Sequence, residues 1–247
     1  MAHRPPDWTD VNQHDPGVSL LEVLAYAIVD LDSWELEQEQ GHVVVPAAST
    51  IKLFIYSAFR RAELDPAEPA PVDPTGGSGV AEYLRTPLTL ADHAFLMLAV
   101  SDNASTNVIL ERLGFDAVAD EIARLGLRHT RVCRRMMDSG PENETTAADL
   151  AQGLAQLVGE PFAGDMLTAL RVAADAESYL PYLLPDVTIA AKRGDLDTVR
   201  HEVAYLERGE RRLVTAVCSM PPARPDELAA VAARQWNVGE PELPHTS

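Results

Sequence analysis

Ser49 and Lys52 are the first residues whose types and spacing suit chemistry. The apolar run 42–45 stops at Pro46, and a helical pattern begins at Ser49, which we expect to be the N-cap. Lys52 is three residues on, so one turn of helix brings its ammonium group alongside the serine hydroxyl. A serine becomes a nucleophile when a base lies within hydrogen-bond reach, and a desolvated lysine can be that base. The alternative is a capped helix with an ordinary surface lysine.

A second polar group, Ser101-Asp102-Asn103, falls between two predicted helices. All three residue types are good N-caps, so helix capping is one interpretation. The other is that Ser101 and Asn103 face the same cleft as Ser49. In that arrangement the Ser101 hydroxyl relays a proton to a leaving amine, and the Asn103 amide binds a substrate carbonyl and Lys52.

A third group, Lys192-Arg193-Gly194, is predicted to end a strand. A lysine at a strand end is usually a solvated residue at the rim of a sheet. In a catalytic cleft it would supply fixed positive charge, and Gly194 would allow a substrate to approach the backbone closely.

Hydrophobic periodicity indicates the elements that must position these groups. Before the Ser49 helix, which should run to about residue 62, the sequence predicts a short helix over 18–25 and three strands, over 26–31, 34–36 and 43–45. Prolines and glycines make 65–88 a surface connection. Beyond it the sequence predicts five helices between 89 and 174, then three strands and a final helix, over 187–191, 199–206, 211–218 and 226–236.

This order predicts an α+β fold, with an antiparallel sheet assembled from both ends of the chain and an all-helical subdomain inserted. We expect an irregular segment over 1–17 and a single domain over 18–247. The α/β part of that domain would be about 18–62 and 185–247, and the helical part about 63–184.

Composition limits the possible partners. The chain has 247 residues and a formal net charge of −18, which argues against nucleic-acid and anionic-membrane partners. No apolar run approaches the length of a membrane span, and no signal-peptide pattern opens the chain, so we expect a cytoplasmic protein, or a secreted one if a leader precedes this sequence. Cys133 and Cys218 match no metal-ligand spacing; we expect reduced thiols, with a disulfide as the alternative. We expect no cofactor or metal, a small-molecule substrate, and a monomer or weak homodimer.

Ser-x-x-Lys, then Ser-Asp-Asn between helices, then Lys-x-Gly on a strand is a rare ordered set. With it, residues 20–236 resemble the class A β-lactamases and penicillin-binding proteins, a family of penicillin-recognising serine hydrolases. The resemblance implies the fold described above, with segment 126–151 corresponding to the Ω-loop and the helix after it. A shorter resemblance, over 8–22, is to the opening of phage baseplate-J-type proteins and carries no assignable chemistry.

The family resemblance implies roles for individual residues. Ser49 would be the acylated nucleophile, Lys52 its base or hydrogen-bond partner, and Ser101 the proton relay. Asn103 would bind a substrate amide, and Lys192 would anchor a substrate carboxylate. Gly194 would admit the substrate, and the oxyanion hole would be the backbone N–H groups of Ser49 and Asp195, each such donor being worth about 3–4 kcal/mol.

Two departures from the family pattern matter. Arg193 stands where the family has Thr or Ser, so it either binds the substrate carboxylate or points away. The family's Glu-x-x-Leu-Asn signature, whose glutamate activates the deacylating water, is missing from the short stretch 135–145. Glu142 and Glu144 are the candidate deacylation bases there, with solvated loop acids as the alternative.

The implied function is a serine hydrolase that forms a Ser49 acyl-enzyme with a β-lactam or related amide and releases it slowly. The alternatives are an intracellular amidase or transacylase of a biosynthetic pathway, and a non-catalytic binding module that retains the fold.

Five further residues have weaker indications. His201 and Glu202 alternate along one strand and are expected on the sheet surface, although His201 could line the cleft. Arg200 could replace the carboxylate-binding arginine that some relatives place on that strand. Arg134 and Arg135 are expected to be solvated or salt-bridged.

Overall fold

The computed structural model describes residues 23–72 and 78–237. Segment 1–17, the baseplate-like stretch 8–22 and most of the helix expected over 18–25 lie outside these ranges. The end of that expected helix is wrong, because Val23 already begins a strand. Buried and more exposed side chains alternate at the start of that strand, with Leu24 exposed between buried Val23 and Ala25, as a strand in a covered sheet requires.

Five strands form one antiparallel sheet in the order β2-β1-β9-β8-β7, which confirms that both ends of the chain build it. Two smaller strand pairs, β3 with β6 and β4 with β5, lie outside that sheet. Within the described residues the strands are β1 Val23–Asp30, β2 Leu36–Glu39, β3 Val45–Pro46, β4 Pro69–Ala70, β5 Leu88–Thr89, β6 Glu144–Thr145, β7 Thr188–Leu196, β8 Val199–Arg208 and β9 Arg211–Met220.

The helices cover both faces of the sheet and fill the middle of the chain. They are α1 Lys52–Arg61, α2 Leu90–Ala99, α3 Asn103–Leu113, α4 Phe115–Arg124, α5 Ala147–Leu157, α6 Ala163–Glu177, α7 Leu180–Leu183 and α8 Pro225–Asn237. Helix α5 packs on β1 and β9 from one side, and α8 packs on β8 and β9 from the other. No helix in these described ranges has the length and apolar character needed to cross a bilayer.

Local signals explain most helix boundaries. Thr89 and Asp92 form the predicted capping box at the start of α2, and Thr146 caps α5 by accepting from the backbone N–H of Asp149. Gly114, which ends α3, and Gly126, just beyond α4, both have positive φ, as expected for residues that end helices.

The expected strands differ from the observed ones at their ends. Trp34 has a positive φ and belongs to the turn, so β2 begins at Leu36, and β3 is confined to Val45–Pro46. The connection 65–88 is less irregular than predicted, because β4 and β5 pair across it. In the hairpin of β7 and β8, pairing extends both strands past the predicted ends.

Candidate active site

Ser49 lies in a tight 3-10 turn, Ala48–Ile51, that leads into α1. The expectation that Ser49 caps the helix is wrong: Ala47 is the N-cap of the 3-10 turn and Ile51 is the N-cap of α1, both without a side-chain bond. The Thr50 hydroxyl donates to the Ala47 carbonyl at 2.6 Å. Ala48 has a φ of 48°, a left-handed conformation that is costly for a non-glycine residue. Ser49 is partly exposed, whereas Lys52 is fully buried. The turn therefore presents a hydroxyl to solvent above a buried amine.

The Lys52 ammonium joins this turn to the Ser101 loop. Its Nζ donates to the Ser101 carbonyl at 2.6 Å, to the Ser101 hydroxyl at 3.1 Å and to Asn103 Oδ1 at 2.7 Å. Within the described residues these hydrogen bonds go to Ser101 and Asn103 rather than to the Ser49 hydroxyl. Burial first, and then the nearby charge of Lys192, lower the pKa of Lys52 well below the usual lysine value. A lysine in this state can accept a proton.

Ser101 and Asn103 are held in place by Asp102 between them. Asp102 is buried and caps α3, with its carboxylate accepting from the backbone N–H of Ser105 at 2.7 Å and of Ala81 at 2.9 Å. Ser101 has a φ of 56°, which is again left-handed. The capping interpretation therefore holds for the middle residue, Asp102, and its two neighbours contact Lys52. The roles of Ser101 as proton relay and of Asn103 as substrate ligand stay predictions.

Lys192 and Gly194 lie on the same face of β7, and that face abuts the Ser49 turn. A Cβ atom on Gly194 would come within 2.9 Å of the Ser49 backbone nitrogen and 3.0 Å of Ala48 Cβ. The expectation that 192–194 ends a strand is wrong, since β7 continues to Leu196 through its pairing with β8. Lys192 is fully buried, and burial lowers its pKa to about 8.

Lysine occurs at two positions in the chain, 52 and 192, against 18 arginines, and both lysines are buried beside each other here. A guanidinium group stays charged under any protein condition, whereas a buried ammonium group can lose its proton. The chain thus has lysine only at buried positions, where an amine that can lose and regain its proton, or a compact positive charge, is needed. This count was available in the sequence and is a signal that motif reading missed.

Arg193, Asp195 and Arg200 lie on the opposite face of the β7–β8 hairpin from Gly194. Arg193 donates to the Glu177 carbonyl and, at 3.0 Å, to both carboxylate oxygens of Asp195. Arg200 donates to the same carboxylate and, at 2.6 Å, to the Ala223 carbonyl. Arg193 was expected either to bind the substrate carboxylate or to point away. Its side chain points away from the Ser49 turn and donates to protein acceptors.

His201 and Glu202 are both buried, so the expectation of sheet-surface residues is wrong for both. The His201 ring contacts the Pro46 carbonyl at 2.8 Å and thereby ties β8 to the Ser49 turn. Burial raises the pKa of Glu202 to about 7, although a hydrogen bond with Ser178 acts in the other direction. The alternation of residues along β8 could not predict the burial of Glu202, because that burial comes from α6, α7 and α8, which cover this face of the sheet.

The loop 131–145 carries both candidate deacylation bases. Arg134 binds the Glu142 carboxylate with two hydrogen bonds, of 2.9 and 2.7 Å, which is the salt-bridged alternative predicted for Arg134. The main chain of Glu144 pairs with Pro46 on one side and Arg131 on the other. Buried Asn143 closes the loop by accepting from the backbone N–H groups of Cys133 and Arg134. Cys133 is exposed and Cys218 buried, and both are free thiols.

Comparison with known proteins agrees with this geometry. A family model described as the beta-lactamase enzyme family matches residues 22–235. The solved β-lactamase of Sphaerobacter thermophilus DSM 20745 is 25% identical, with a TM-score of 0.78 over 89% of this chain and 94% of that chain. The solved PBP-A is also 25% identical, with a TM-score of 0.79 over 88% of this chain and 90% of that chain.

An ancestral class A β-lactamase shares the fold at 20% identity, with a TM-score of 0.78 over 87% of this chain and 94% of that chain. A search of curated protein sequences finds no match. The class A resemblance read from the three motifs is confirmed, and the chain belongs to the beta-lactamase enzyme family.

Proposed function

We propose that this chain is a serine hydrolase that forms an acyl-enzyme at Ser49 with a β-lactam or a related amide. The observation that carries this proposal is the placement of the two lysines of the chain, both fully buried where the Ser49 turn, the Ser101 loop and β7 meet. One of the solved relatives, a variant of PBP-A, is an acyl-enzyme complex with penicillin G, which supports the same chemistry here.

In the acylation step, the Ser49 hydroxyl oxygen bonds to the carbonyl carbon of the substrate while its proton passes to neutral Lys52. The backbone N–H groups of Ser49 and Asp195 would stabilise the oxyanion that develops. As the carbon–nitrogen bond breaks, Ser101 gives a proton to the leaving nitrogen and is reprotonated from Lys52, to which it is already hydrogen-bonded at 3.1 Å. Asn103 would hold a substrate amide, and Lys192 would supply positive charge nearby.

Release of the acyl group by water is the slower step of the proposed reaction. The Glu142 carboxylate is held by Arg134, so it is not free to activate a water. Glu144 lies on the short strand β6, where the sequence lacks the Glu-x-x-Leu-Asn spacing of the family. The acyl-enzyme would then persist, or pass its acyl group to an amine. This second outcome would make the chain a transacylase with the same nucleophile.

Intact-mass measurement with benzylpenicillin tests the proposal. We expect one adduct on the wild-type chain and none on Ser49→Ala, while Ser33→Ala, at an exposed serine of the β1–β2 turn, serves as the matched control and keeps the adduct. Lys52→Ala should slow adduct formation by about 10²–10⁴-fold, the usual contribution of a general base.

An adduct that survives Ser49→Ala would refute the nucleophile assignment. If neither benzylpenicillin nor a fluorophosphonate serine probe labels the folded wild-type chain, the non-catalytic binding module is the better description. After excess penicillin is removed, rapid loss of the adduct in buffer alone would contradict slow release, and loss only on addition of an amine would favour the transacylase.

A further inference from the structure

Four ionisable side chains, basic and acidic in alternation, form a square on one face of the β7–β8 hairpin. Arg193 and Asp195 are two residues apart on β7, and their cross-strand partners on β8 are Glu202 and Arg200 respectively. Because side chains alternate along a strand, this face is the one opposite to that of Gly194. Cross-strand pairs of opposite charge stabilise a sheet, so the pair of Asp195 with Arg200 stabilises the hairpin.

Asp195 accepts hydrogen bonds from both arginines of this square, and we call Arg193, Asp195 and Arg200 the corner. Its carboxylate accepts from Arg193 at 3.0 Å to each oxygen and also from Arg200. Each guanidinium group has a second protein acceptor, the carbonyl of Glu177 for Arg193 and the carbonyl of Ala223 for Arg200. The side chain of Asp195 is 41% exposed and those of the arginines are 15% and 25% exposed, so solvent and ligands reach the corner from outside.

Arg193 and Asp195 flank Gly194, the residue of β7 that abuts the Ser49 turn, and their side chains point to the other face of this strand. Gly194 is the neighbour of both Arg193 and Asp195, and its Cα faces the Ser49 backbone nitrogen so closely that a Cβ would stand 2.9 Å from it. β7 is the edge strand of the sheet, so an acyl group on Ser49 would lie along this edge. A substituent of that acyl group, or of its leaving nitrogen, that extends past Gly194 around the edge would meet the corner.

Two guanidinium groups that converge at such a place would ordinarily bind a carboxylate, since the planar fork of arginine matches carboxylate geometry. Here the chain supplies the carboxylate itself. An incoming anion must displace Asp195 from both arginines or approach them with Asp195 still in place, and each route is unfavourable.

We infer that Asp195 is a specificity-determining residue that selects acyl donors without a negative charge at the group beside Gly194. The preferred substrates are therefore neutral or cationic amides or esters at that position, and carboxylate-bearing β-lactams are poor substrates. This inference rests on the proposed Ser49 acylation and adds to it the charge class of the substrate.

The test compares two probes that differ in one charge, benzylpenicillin and its methyl ester. The measured quantity is the ratio of the second-order rates at which ester and acid form the Ser49 adduct, followed by intact mass. We expect a ratio above one for the wild-type chain. Asp195→Asn should lower the ratio by about tenfold or more, because freed arginines gain a charge-assisted hydrogen bond to the acid. Asp197→Asn removes an exposed acid two residues away and should leave the ratio within about twofold, well below the gain from one such bond.

A second variant separates arginine release from general charge loss. In the wild-type background Arg200→Gln should leave the ratio nearly unchanged, whereas in the Asp195→Asn background it should restore much of the wild-type ratio. Asp195→Ser replaces Asp195→Asn if that variant fails to fold.

An unchanged ratio in the folded Asp195 variants overturns the inference while leaving Ser49 acylation intact, as does a ratio of one or below for the wild-type chain. If neither probe labels wild-type Ser49, the proposed function itself fails and the inference fails with it.

Discussion

At the scale of single residues, the contrast between lysine and arginine carries most of the chemistry. The eighteen arginines include those that bind carboxylates in surface ion pairs, such as Arg60 with Asp165 and Arg134 with Glu142. The two lysines are buried, and burial weakens the hold of an amine on its proton. Lys52 can therefore act as a base where an arginine could not.

This contrast gives a direct spectroscopic prediction. A chain labelled with ¹³C-lysine should show two Cε resonances, with the Lys192 signal titrating at about pH 8 and the Lys52 signal well below the pKa of an exposed lysine. Lys192→Gln should leave one resonance and raise the pKa of Lys52, because the positive charge of Lys192 disfavours a charged Lys52. Titration of either wild-type signal at the value of a free lysine would contradict the burial argument.

The same pKa sets the pH profile of acylation. Because neutral Lys52 is the base, the acylation rate should rise as pH increases through the pKa of Lys52. It should fall again above about pH 8, where Lys192 loses the positive charge that assists the reaction. In Lys192→Gln the rise should move to higher pH. A profile that does not move would show that the two amines do not interact.

Gly194 allows a test of close backbone approach. Gly194→Ala places a Cβ against the Ser49 nitrogen, so β7 must move away from the Ser49 turn. We expect a loss of about 1–3 kcal/mol in the free energy of unfolding, and a fall of about 10²-fold in the acylation rate from misplacement of the nucleophile.

Gly164→Ala is the matched control, because a Cβ there meets nothing within 4 Å inside α6. It should leave acylation unchanged and raise the free energy of unfolding by about 0.5–1 kcal/mol. Equal acylation rates in the two variants would show that β7 does not need to contact the turn.

At the scale of elements, the β7–β8 hairpin connects the catalytic turn to the far side of the sheet. One face carries Lys192, Gly194 and His201 toward the Ser49 turn. The other carries Glu202, fully buried against the junction of α6 and α7, where Ser178 is its hydrogen-bond partner. Glu202, whose pKa is raised to about 7, therefore lies on the strand next to the one that carries Lys192 and Gly194.

Glu202 should make stability depend on pH. Its folded pKa of about 7 lies above that of an unfolded glutamate, so between about pH 4.5 and 7 the folded chain holds a proton that the unfolded chain has lost. Stability from this group is therefore fully present below that window and falls as pH rises through it. Glu202→Gln should remove this fall and gain up to about 3 kcal/mol relative to wild type by pH 7.5.

The measurement is urea unfolding of both chains at several pH values, with Glu210→Gln, at an exposed turn position, as the control. A constant difference between Glu202→Gln and wild type across pH 5–7.5 would mean that Glu202 ionises normally when folded.

At the scale of the whole molecule, the net charge of −18 acts on every charged substrate. The field of the protein repels anions, and salt screens that field. The acylation rate with benzylpenicillin should therefore rise a few-fold between about 10 and 500 mM NaCl, whereas the rate with its methyl ester should stay flat. A rate that falls with salt for the acid would indicate a locally positive entrance that outweighs the overall charge.

Many helix boundaries and the family could be predicted from the sequence, because they depend on short local patterns of residues. The capping residues Thr89 and Thr146, the positive-φ glycines 114 and 126 and the apolar stripes located most of the helices, although α7 was missed and the end of the helix expected over 18–25 is wrong. The order of Ser49-x-x-Lys52, Ser101-Asp102-Asn103 and Lys192-x-Gly194 gave the family. These features depend on residues close together in the chain, so they can be predicted without knowledge of the fold.

The remaining features depend on contacts between distant segments, and only the tertiary structure decided them. The sequence by itself determined which residue types are present and in what order, including the scarcity of lysine. Packing decided that Lys52 binds Ser101 and Asn103, that Glu202 is buried, and that Asp195 occupies both Arg193 and Arg200. The physical reason is that burial and charge pairing are properties of the surroundings of a residue, and those surroundings come from strands and helices far apart in the chain.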